Sequence, residues 1–195
     1  MNATTITEAL LANDLIQDAG PTLPRHPTKH WRQRDPAAIK GVVIHQSLGA
    51  PTAHPIARYH VGPNHLSATG LPSIAYTLFV ERSGRILLCS DVAAKPWSQG
   101  TRAIPGDENA DYLAVCVGGN FSADSHEGTE EPSLAQLRAT LALWQRLRDV
   151  WGFSNTDLHG HCHFGKPACP GRTLRTVIEA VRKDGEANSA QSHNA

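Results

Sequence analysis

The sequence predicts a single α/β domain with a central mixed β-sheet of about five strands flanked by helices. The chain has 195 residues, 40% hydrophobic and 18% charged, and a chain of this size can bury a complete core. Short β-branched runs alternate with segments whose apolar residues recur at helical spacing, which favours a sheet packed against helices. The predicted domain body spans residues 39–184, and the polar residues 185–195 are predicted to be a disordered tail.

Residues 1–38 are predicted to form a helix and an irregular segment that pack on the domain body. The helix is predicted at residues 4–18, where apolar side chains recur at helical spacing, namely Ile6, Leu10, Leu11 and Leu15. Gly20 and Pro21 end it. Residues 21–36 are rich in Pro, His and Arg and predict an irregular surface segment.

Four strands are predicted in the first two thirds of the chain. Residues 39–47, IKGVVIHQS, form a short β-branched run whose apolar character indicates burial on both faces of a sheet. Residues 74–81 and 86–90 flank the turn sequence RSGR and predict a β-hairpin. Residues 112–117, YLAVCV, predict another buried strand.

Three more helices are predicted. A short one covers residues 52–60. The clearest begins after Ser133, which forms a capping box with Gln136, and it ends at Gly152. The last is an amphipathic helix at residues 173–183.

The stretch 158–171, LHGHCHFGKPACPG, holds the densest set of potential metal ligands. It contains three histidines at alternate positions, His159, His161 and His163. If residues 158–164 form the fifth strand, these side chains share one face, because side chains alternate along a strand. The glycines and prolines that follow predict a loop that carries Cys169 back over the strand end. Imidazole and thiolate are ligands that zinc accepts.

A third ligand has to come from elsewhere in the chain. His45 stands at the end of the buried strand predicted at residues 39–47. A single histidine in this position is more often a structural residue than a ligand. The need for one more ligand at the stretch 158–171 makes it a candidate.

The balance of charge gives no reason to expect a strongly acidic partner. The 18 basic and 18 acidic residues cancel, so neither nucleic acid nor an anionic membrane is expected as a partner. The N-terminus lacks a basic region followed by a long apolar core, and no apolar run is long enough to span a membrane. We therefore expect synthesis in the cytoplasm without a signal peptide, no membrane insertion, and free thiols at the four cysteines.

These motifs resemble the zinc-dependent N-acetylmuramoyl-L-alanine amidases. This amidase type 2 group shares its fold with the peptidoglycan-recognition proteins and includes amidase-type phage endolysins. The resemblance covers residues 39–181 and rests on VVIHQS, PSIAYTLFVERSGRI, LAVCVGGNF and GHCHFGKPACPG. The last segment is the most specific, because the family has a Gly-His pair and a Cys-Pro-Gly exit with the cysteine eight residues after the histidine. That spacing selects His161 over His159 and His163.

The resemblance implies one catalytic zinc ion and a set of site residues. His45, His161 and Cys169 would be its ligands, which leaves a fourth position open. Tyr76 matches a family tyrosine that faces the metal and would serve catalysis. Lys166 is the second expected catalytic residue.

Two positions depart from the family pattern. Some members have a catalytic lysine two residues before the cysteine, where this chain has Pro167, with Lys166 one residue earlier. Others have a glutamate on the LAVCVGG strand, where this chain has Cys116, so no carboxylate base is predicted. Three further residues are predicted to contact substrate, namely His65, Trp97 and His163.

The implied reaction is hydrolysis of the amide between N-acetylmuramic acid and L-alanine in peptidoglycan. The expected partner is peptidoglycan or a muropeptide, and the protein is expected to be a monomer that acts on the bacterial cell wall after release or export. The alternatives are a non-catalytic recognition module, a zinc hydrolase of another amide, or a structural zinc site completed by His159 or His163. The biological context stays open between a phage endolysin, an exported effector and a bacterial amidase that recycles wall fragments in the cytoplasm.

Overall fold

A six-stranded mixed β-sheet forms the centre of the structure, a computed structural model that describes residues 1–99, 106–122 and 130–192. In chain order the strands are β1 (Ile16–Asp18), β2 (Gly41–Gln46), β3 (Leu78–Val80), β4 (Ile86–Leu88), β5 (Tyr112–Val117) and β6 (Leu158–Gly160). Across the sheet their order is β1-β4-β3-β5-β2-β6. The predicted α/β class and mixed sheet are confirmed, with one strand more than expected.

Four of the strands run in the same direction. β2 lies between β5 and β6 and pairs in parallel with both, and β3 pairs in parallel with β5. β4 returns antiparallel to β3, and β1 lies parallel to β4. The carboxyl ends of β2, β3, β5 and β6 therefore point to one edge of the sheet, which is where open α/β sheets usually bind ligands.

The described residues contain five α-helices, namely α1 (Ala3–Leu11), α2 (Ala53–Val61), α3 (Glu108–Asp111), α4 (Leu134–Trp151) and α5 (Arg172–Ser192). The predicted caps of α4 are confirmed. The Ser133 hydroxyl accepts a hydrogen bond from the Gln136 N–H at 3.1 Å, and the Gln136 side chain accepts one from the Ser133 N–H at 3.0 Å. Gly152 ends the helix in the left-handed conformation, with a φ of 76°.

The two faces of the sheet carry cores of different size. On one face Val42 and Ile44 pack in a large cluster with residues of α1, α4 and α5. The other face carries a smaller cluster, in which Phe79 and Cys116 pack with residues of α2. His45 pairs across the strands with Cys116, so it lies on this thinner side of the sheet.

The N-terminal segment is not one continuous helix. α1 ends at Leu11, the chain turns at Asp14 with a left-handed φ of 56°, and β1 then joins the sheet beside β4. The prediction of a helix over residues 4–18 is therefore wrong in its second half. Asn13 and Asp14 favour a turn, and a strand of only three residues has too few alternating positions to show its period in the sequence.

The predicted strand at residues 158–164 is shorter than expected. β6 ends at Gly160, and His161–Phe164 forms a 3₁₀ turn. Gly165 closes this turn with a φ of 81° and donates its N–H to the carbonyl of Cys162. The prediction that the three histidines share one strand face is wrong because the strand stops before the second of them.

The last helix is longer than expected. α5 continues to Ser192, through most of the segment for which a disordered tail is predicted, and residues 193–195 lie outside the described residues. Glu, Ala and Gln in this segment are good helix formers, although few of its residues are apolar. None of the helices in the described parts of the chain combines the length and apolar character that crossing a membrane requires.

Candidate metal centre

Three segments bring potential metal ligands to the same edge of the sheet. His45 is the penultimate residue of β2, and His161 follows directly after β6. Because β2 and β6 are parallel neighbours, the two histidines meet at the carboxyl ends of these strands. Cys169 lies on the loop that precedes α5, and its Sγ accepts a hydrogen bond from the Gln46 N–H at 3.4 Å.

The ligand atoms of His45, His161 and Cys169 lie within 4.8 Å of one another. We call these three residues the inner cluster. The centroids of its two imidazole rings are 4.3 Å apart. In the parts of the chain that the structure describes, no other group of three or more His, Cys, Asp or Glu side chains converges in this way.

His161 is held in one tautomer by the backbone. Its Nε2 lies 2.7 Å from the carbonyl oxygen of Gln99. A carbonyl can only accept, so Nε2 carries the ring proton and Nδ1 keeps the free electron pair. Burial lowers the pKa of His161, against the opposing effect of the Gln99 hydrogen bond, so the ring is neutral near pH 7. A neutral ring with a fixed tautomer is the form that ligates a metal.

His45 has an orphaned nitrogen. The residue is only 1% exposed, and its Nε2 has no hydrogen-bond partner among the described residues. A buried polar atom without a partner costs free energy and calls for an explanation such as an ion. Burial, and then the neighbouring His161 ring, hold the pKa of His45 well below its usual value, so this ring is neutral as well. A metal cation would satisfy the nitrogen, and the cluster therefore fits one.

Cys169 supplies the soft ligand of the inner cluster. Burial raises the pKa of its thiol to about 12, while the hydrogen bond from the Gln46 N–H acts in the opposite direction. A bound cation instead lowers the pKa of a coordinating thiol, which then loses its proton. Two imidazoles and one thiolate suit zinc better than calcium or magnesium, which prefer oxygen ligands.

Tyr76 lies beside the inner cluster. Its ring centroid is 5.4 Å from that of His45. Burial and neighbouring cysteine thiols raise the pKa of Tyr76 well above its usual value, so the hydroxyl stays protonated near pH 7 and is a hydrogen-bond donor. His60 supports the backbone just before Tyr76, because the His60 Nδ1 accepts a hydrogen bond from the Ala75 N–H at 3.1 Å.

A cleft of about 830 Å³ runs past the inner cluster. Its lining includes four large hydrophobic side chains that remain exposed, namely Leu48, Tyr59, Leu66 and Trp97. Lys166 is the only lysine or arginine among the described residues that line the cleft, and none of these residues is a carboxylate. The cleft therefore suits a ligand with apolar faces and little positive charge.

All the predicted site residues except His163 line this cleft. His65 lies within it and forms a 2.5 Å hydrogen bond with the hydroxyl of Tyr59. Trp97 is half exposed on its wall. The 3₁₀ turn places His163 elsewhere, with its ring stacked on that of His159 at 4.6 Å. His163 is therefore not among the residues that line the cleft, and its contact with substrate stays a prediction.

Three residues of the site were missed by the sequence analysis. Gln46 is an amide at the end of a strand whose first four residues are apolar, and this contrast was a usable signal. Tyr59 lies on α2, where an exposed aromatic residue is not unusual on its own. Gln99 acts on His161 through its backbone carbonyl, and a backbone contact leaves no trace in the pattern of side chains.

The fold and the inner cluster define the class of protein, which is an α/β domain with a candidate metal centre open to a cleft. Residues 34–172 match the family model Amidase_2, N-acetylmuramoyl-L-alanine amidase, and the chain belongs to this family. The resemblance seen in the sequence is thereby confirmed. No curated protein is similar enough in sequence to count as a match.

Solved structures with the same fold include endolysins and recognition proteins. The Ph2119 endolysin from the Thermus scotoductus MAT2119 bacteriophage aligns with a TM-score of 0.64 at 20% identity, over 86% of this chain and 98% of its own. The amidase LysC from Clostridium intestinale URNW aligns with a TM-score of 0.61 at 19% identity, over 87% and 95%. Peptidoglycan recognition protein-LE, in complex with tracheal cytotoxin, aligns with a TM-score of 0.65 at 19% identity, over 86% and 94%.

Proposed function

We propose that this chain is a zinc-dependent amidase that hydrolyses the amide between N-acetylmuramic acid and L-alanine in peptidoglycan. The observation that carries the proposal is the inner cluster, whose three ligand atoms converge beside an apolar cleft. Membership of the N-acetylmuramoyl-L-alanine amidase family supports the choice of reaction.

His45, His161 and Cys169 would hold one zinc ion and leave a fourth position open, as in catalytic rather than structural zinc sites. When bound, zinc supplies Lewis acidity, which polarises a carbonyl group and makes water nucleophilic near pH 7. The chain contributes the ligand geometry. The Gln99 carbonyl fixes the orientation of His161, and burial keeps both imidazole rings neutral.

Tyr76 is the residue placed to stabilise negative charge on the amide oxygen. Its protonated hydroxyl can donate a hydrogen bond as this charge develops, and one donor of this kind is worth about 3 kcal/mol. Lys166 lies on the loop that carries Cys169, and its ammonium group is close enough to contribute to the lowered pKa of His161. We assign it a weaker electrostatic role because its side chain is exposed to solvent. No carboxylate among the described lining residues offers a general base, so the attacking water is the proton source for the leaving amine.

The walls of the cleft fit a glycopeptide. Trp97 and Tyr59 expose flat aromatic surfaces that can pack against sugar rings. His65, held by the Tyr59 hydroxyl, is the proposed polar contact to the substrate. We propose peptidoglycan or a muropeptide as the substrate on this basis.

A non-catalytic recognition module is the main alternative. The presence of all three ligands together with Tyr76 favours the enzyme, because the non-catalytic proteins that the chain resembles typically lack the cysteine. We also propose that the protein is a monomer that acts on the bacterial cell wall after release or export. Cys169 favours an endolysin-like role, since the cytoplasmic recycling amidases of the family often have aspartate there.

Mass spectrometry of digested peptidoglycan tests the proposal. Purified peptidoglycan would be incubated with zinc-loaded protein, with chelated protein, and with chelated protein to which zinc is restored. We expect free stem peptides that begin with L-alanine in the first and third samples only. Binding of muropeptides without any cleavage, despite a full complement of zinc, would replace the amidase by the recognition module.

A further inference from the structure

Gln46 connects the loop that carries Cys169 to the body of the domain. It follows His45 at the end of β2 and is only 3% exposed. Its side-chain amide nitrogen donates to the Ala168 carbonyl at 2.9 Å and to the Ser122 hydroxyl at 2.6 Å. Its side-chain oxygen accepts from the Phe121 N–H at 2.5 Å. The carboxamide thus forms hydrogen bonds to two separate segments of chain, through its amide nitrogen and through its oxygen.

The same residue also contacts the sulfur ligand through its backbone. The Gln46 N–H donates to the Cys169 Sγ at 3.4 Å, while its side chain holds the carbonyl of the residue just before that cysteine. Ser122 adds a second hydrogen bond to this carbonyl at 3.3 Å. Residues 165–168 of the loop are exposed, so few buried contacts are available to fix its position.

We propose that Gln46 is a positioning residue for the metal centre, which fixes the Cys169 sulfur at its ligand position relative to His45. The inference rests on the proposed zinc site. Gln46 would act on the metal only through other groups. It orders the Cys169 loop before a cation binds, so the loop loses less conformational entropy on binding.

The test compares two buried glutamines. Gln46→Met keeps the length of the side chain and removes the three side-chain hydrogen bonds. Gln136→Met makes the same exchange in α4, where the Gln136 Nε2 donates to the Gly118 carbonyl at 2.7 Å and its Oε1 accepts from the Ser133 N–H at 3.0 Å, so that both hydrogen bonds go to residues outside the Cys169 loop. Both variants lose a buried hydrogen-bond network, so a purely structural role predicts a similar loss of stability and no selective effect on the metal. Ser122→Ala is the milder second variant if Gln46→Met does not fold.

The readout is the zinc dissociation constant, measured by competition with a chromogenic chelator, together with the thiolate-to-cobalt absorption band of the cobalt-loaded protein. We expect Gln46→Met to weaken zinc binding by roughly 10- to 100-fold and to alter the cobalt band, with a smaller effect in the same direction for Ser122→Ala. Gln136→Met should match the wild type in both measurements. An unchanged dissociation constant and an unchanged band in folded Gln46→Met, or in Ser122→Ala should Gln46→Met not fold, would overturn the proposal.

This readout separates the positioning role from the amidase activity. A wild-type protein that binds zinc tightly but cleaves no peptidoglycan would contradict the proposed reaction, and the comparison of dissociation constants would still decide the role of Gln46. A wild-type protein that binds no zinc would overturn both.

Discussion

The histidines of the segment HGHCH lie within five residues of one another, yet the structure gives them two different environments. His161 joins the inner cluster with His45 and Cys169 and donates its Nε2 proton to the Gln99 carbonyl. His159 and His163 form what we call the outer pair, with stacked rings 4.6 Å apart. The segment divides because the strand ends at Gly160 and the 3₁₀ turn then changes the direction of the side chains.

Charge separates the two groups further. An Arg182 nitrogen lies 3.2 Å from the His159 Nδ1, and it also donates to the Leu158 carbonyl at 3.0 Å. Burial, then the His163 ring and the Arg182 guanidinium, lower the pKa of His159 to about 4. A fixed cation next to a ring nitrogen opposes a metal ion there. The comparison teaches that a histidine becomes a candidate ligand through its partners, here a second imidazole, a thiol and a carbonyl.

Removal of the sulfur from the inner cluster should have the largest effect. Cys169→Ala leaves two ligands, so we expect loss of tight zinc binding and a fall in kcat/KM well beyond the ~100-fold that loss of an outer hydrogen-bond partner typically costs. Cys162→Ala is the matched control, a partly exposed thiol in the turn beside the outer pair. Zinc content and peptidoglycan cleavage would be measured for both. A fully active Cys169→Ala protein would remove the assignment of the site.

Tyrosine substitutions extend the comparison to catalysis. Tyr76→Phe removes the hydroxyl next to the inner cluster, and we expect kcat to fall by about 100-fold, because a donor to the developing oxyanion is lost. Tyr112→Phe is the control, since the Tyr112 ring packs against His159 at 5.5 Å. It should keep kcat near the wild-type value. Equal losses of kcat in the two variants would argue against a specific role for Tyr76.

The free energy of unfolding at acid pH should depend on His60, a buried histidine next to Tyr76. The His60 ring lies 5.7 Å from that of Tyr76, and burial, then His65, lower the pKa of His60 to about 4. The unfolded chain takes up this proton near pH 6.5. Below that pH the unfolded state binds more protons than the folded state, so stability is lost as the pH falls from about 6.5 towards 4. At pH 5 this loss amounts to about 2 kcal/mol of unfolding free energy.

The variant His60→Asn isolates this contribution. Asparagine keeps an acceptor for the Ala75 N–H but has no ionisable ring. Urea denaturation at pH 7.5, 6 and 5, with a chelator present so that zinc release plays no part, should show a shallower loss of stability than in the wild type. Identical pH dependence of the two proteins would show that His60 is not held neutral in the folded state.

The smallest effect is expected for Lys166→Ala. Its ammonium is exposed, so screening by solvent limits its electrostatic contribution, and we expect kcat to fall by less than about 10-fold. Steady-state kinetics on a soluble muropeptide would measure it beside Tyr76→Phe. If the loss for Lys166→Ala were the larger of the two, the loop would have to carry Lys166 into the site during turnover.

Much of the fold could be predicted because its signals are local. The strand at residues 112–117 has the predicted bounds, and the buried run at residues 39–47 contains β2, the strand between β5 and β6. The capping box of Ser133 and Gln136 fixed the start of α4. Such signals depend on a few neighbouring residues, and they survive in the tertiary structure when the segment is buried as its pattern requires.

What could not be predicted depends on contacts between distant segments. β1 is a strand only because the edge of β4 is free to pair with it, and its three residues carry no clear period. The end of β6 at Gly160 determines that His161 lies apart from His159 and His163. Strand ends are the least certain part of a sequence-based prediction. The Gln99 carbonyl and the Gln46 carboxamide, which hold His161 and the Cys169 loop, act across the fold.

X-ray absorption at the zinc edge is the most direct test of the inner cluster as a metal centre. The account predicts one bound zinc per chain, with one sulfur neighbour at about 2.3 Å and three nitrogen or oxygen neighbours at about 2.0–2.1 Å. Cys162→Ala should keep the sulfur neighbour, and Cys169→Ala should show no zinc–sulfur signal because it is expected to lose tight zinc binding. A zinc site with no sulfur neighbour in the wild type, or with two, would contradict the ligand set of His45, His161 and Cys169.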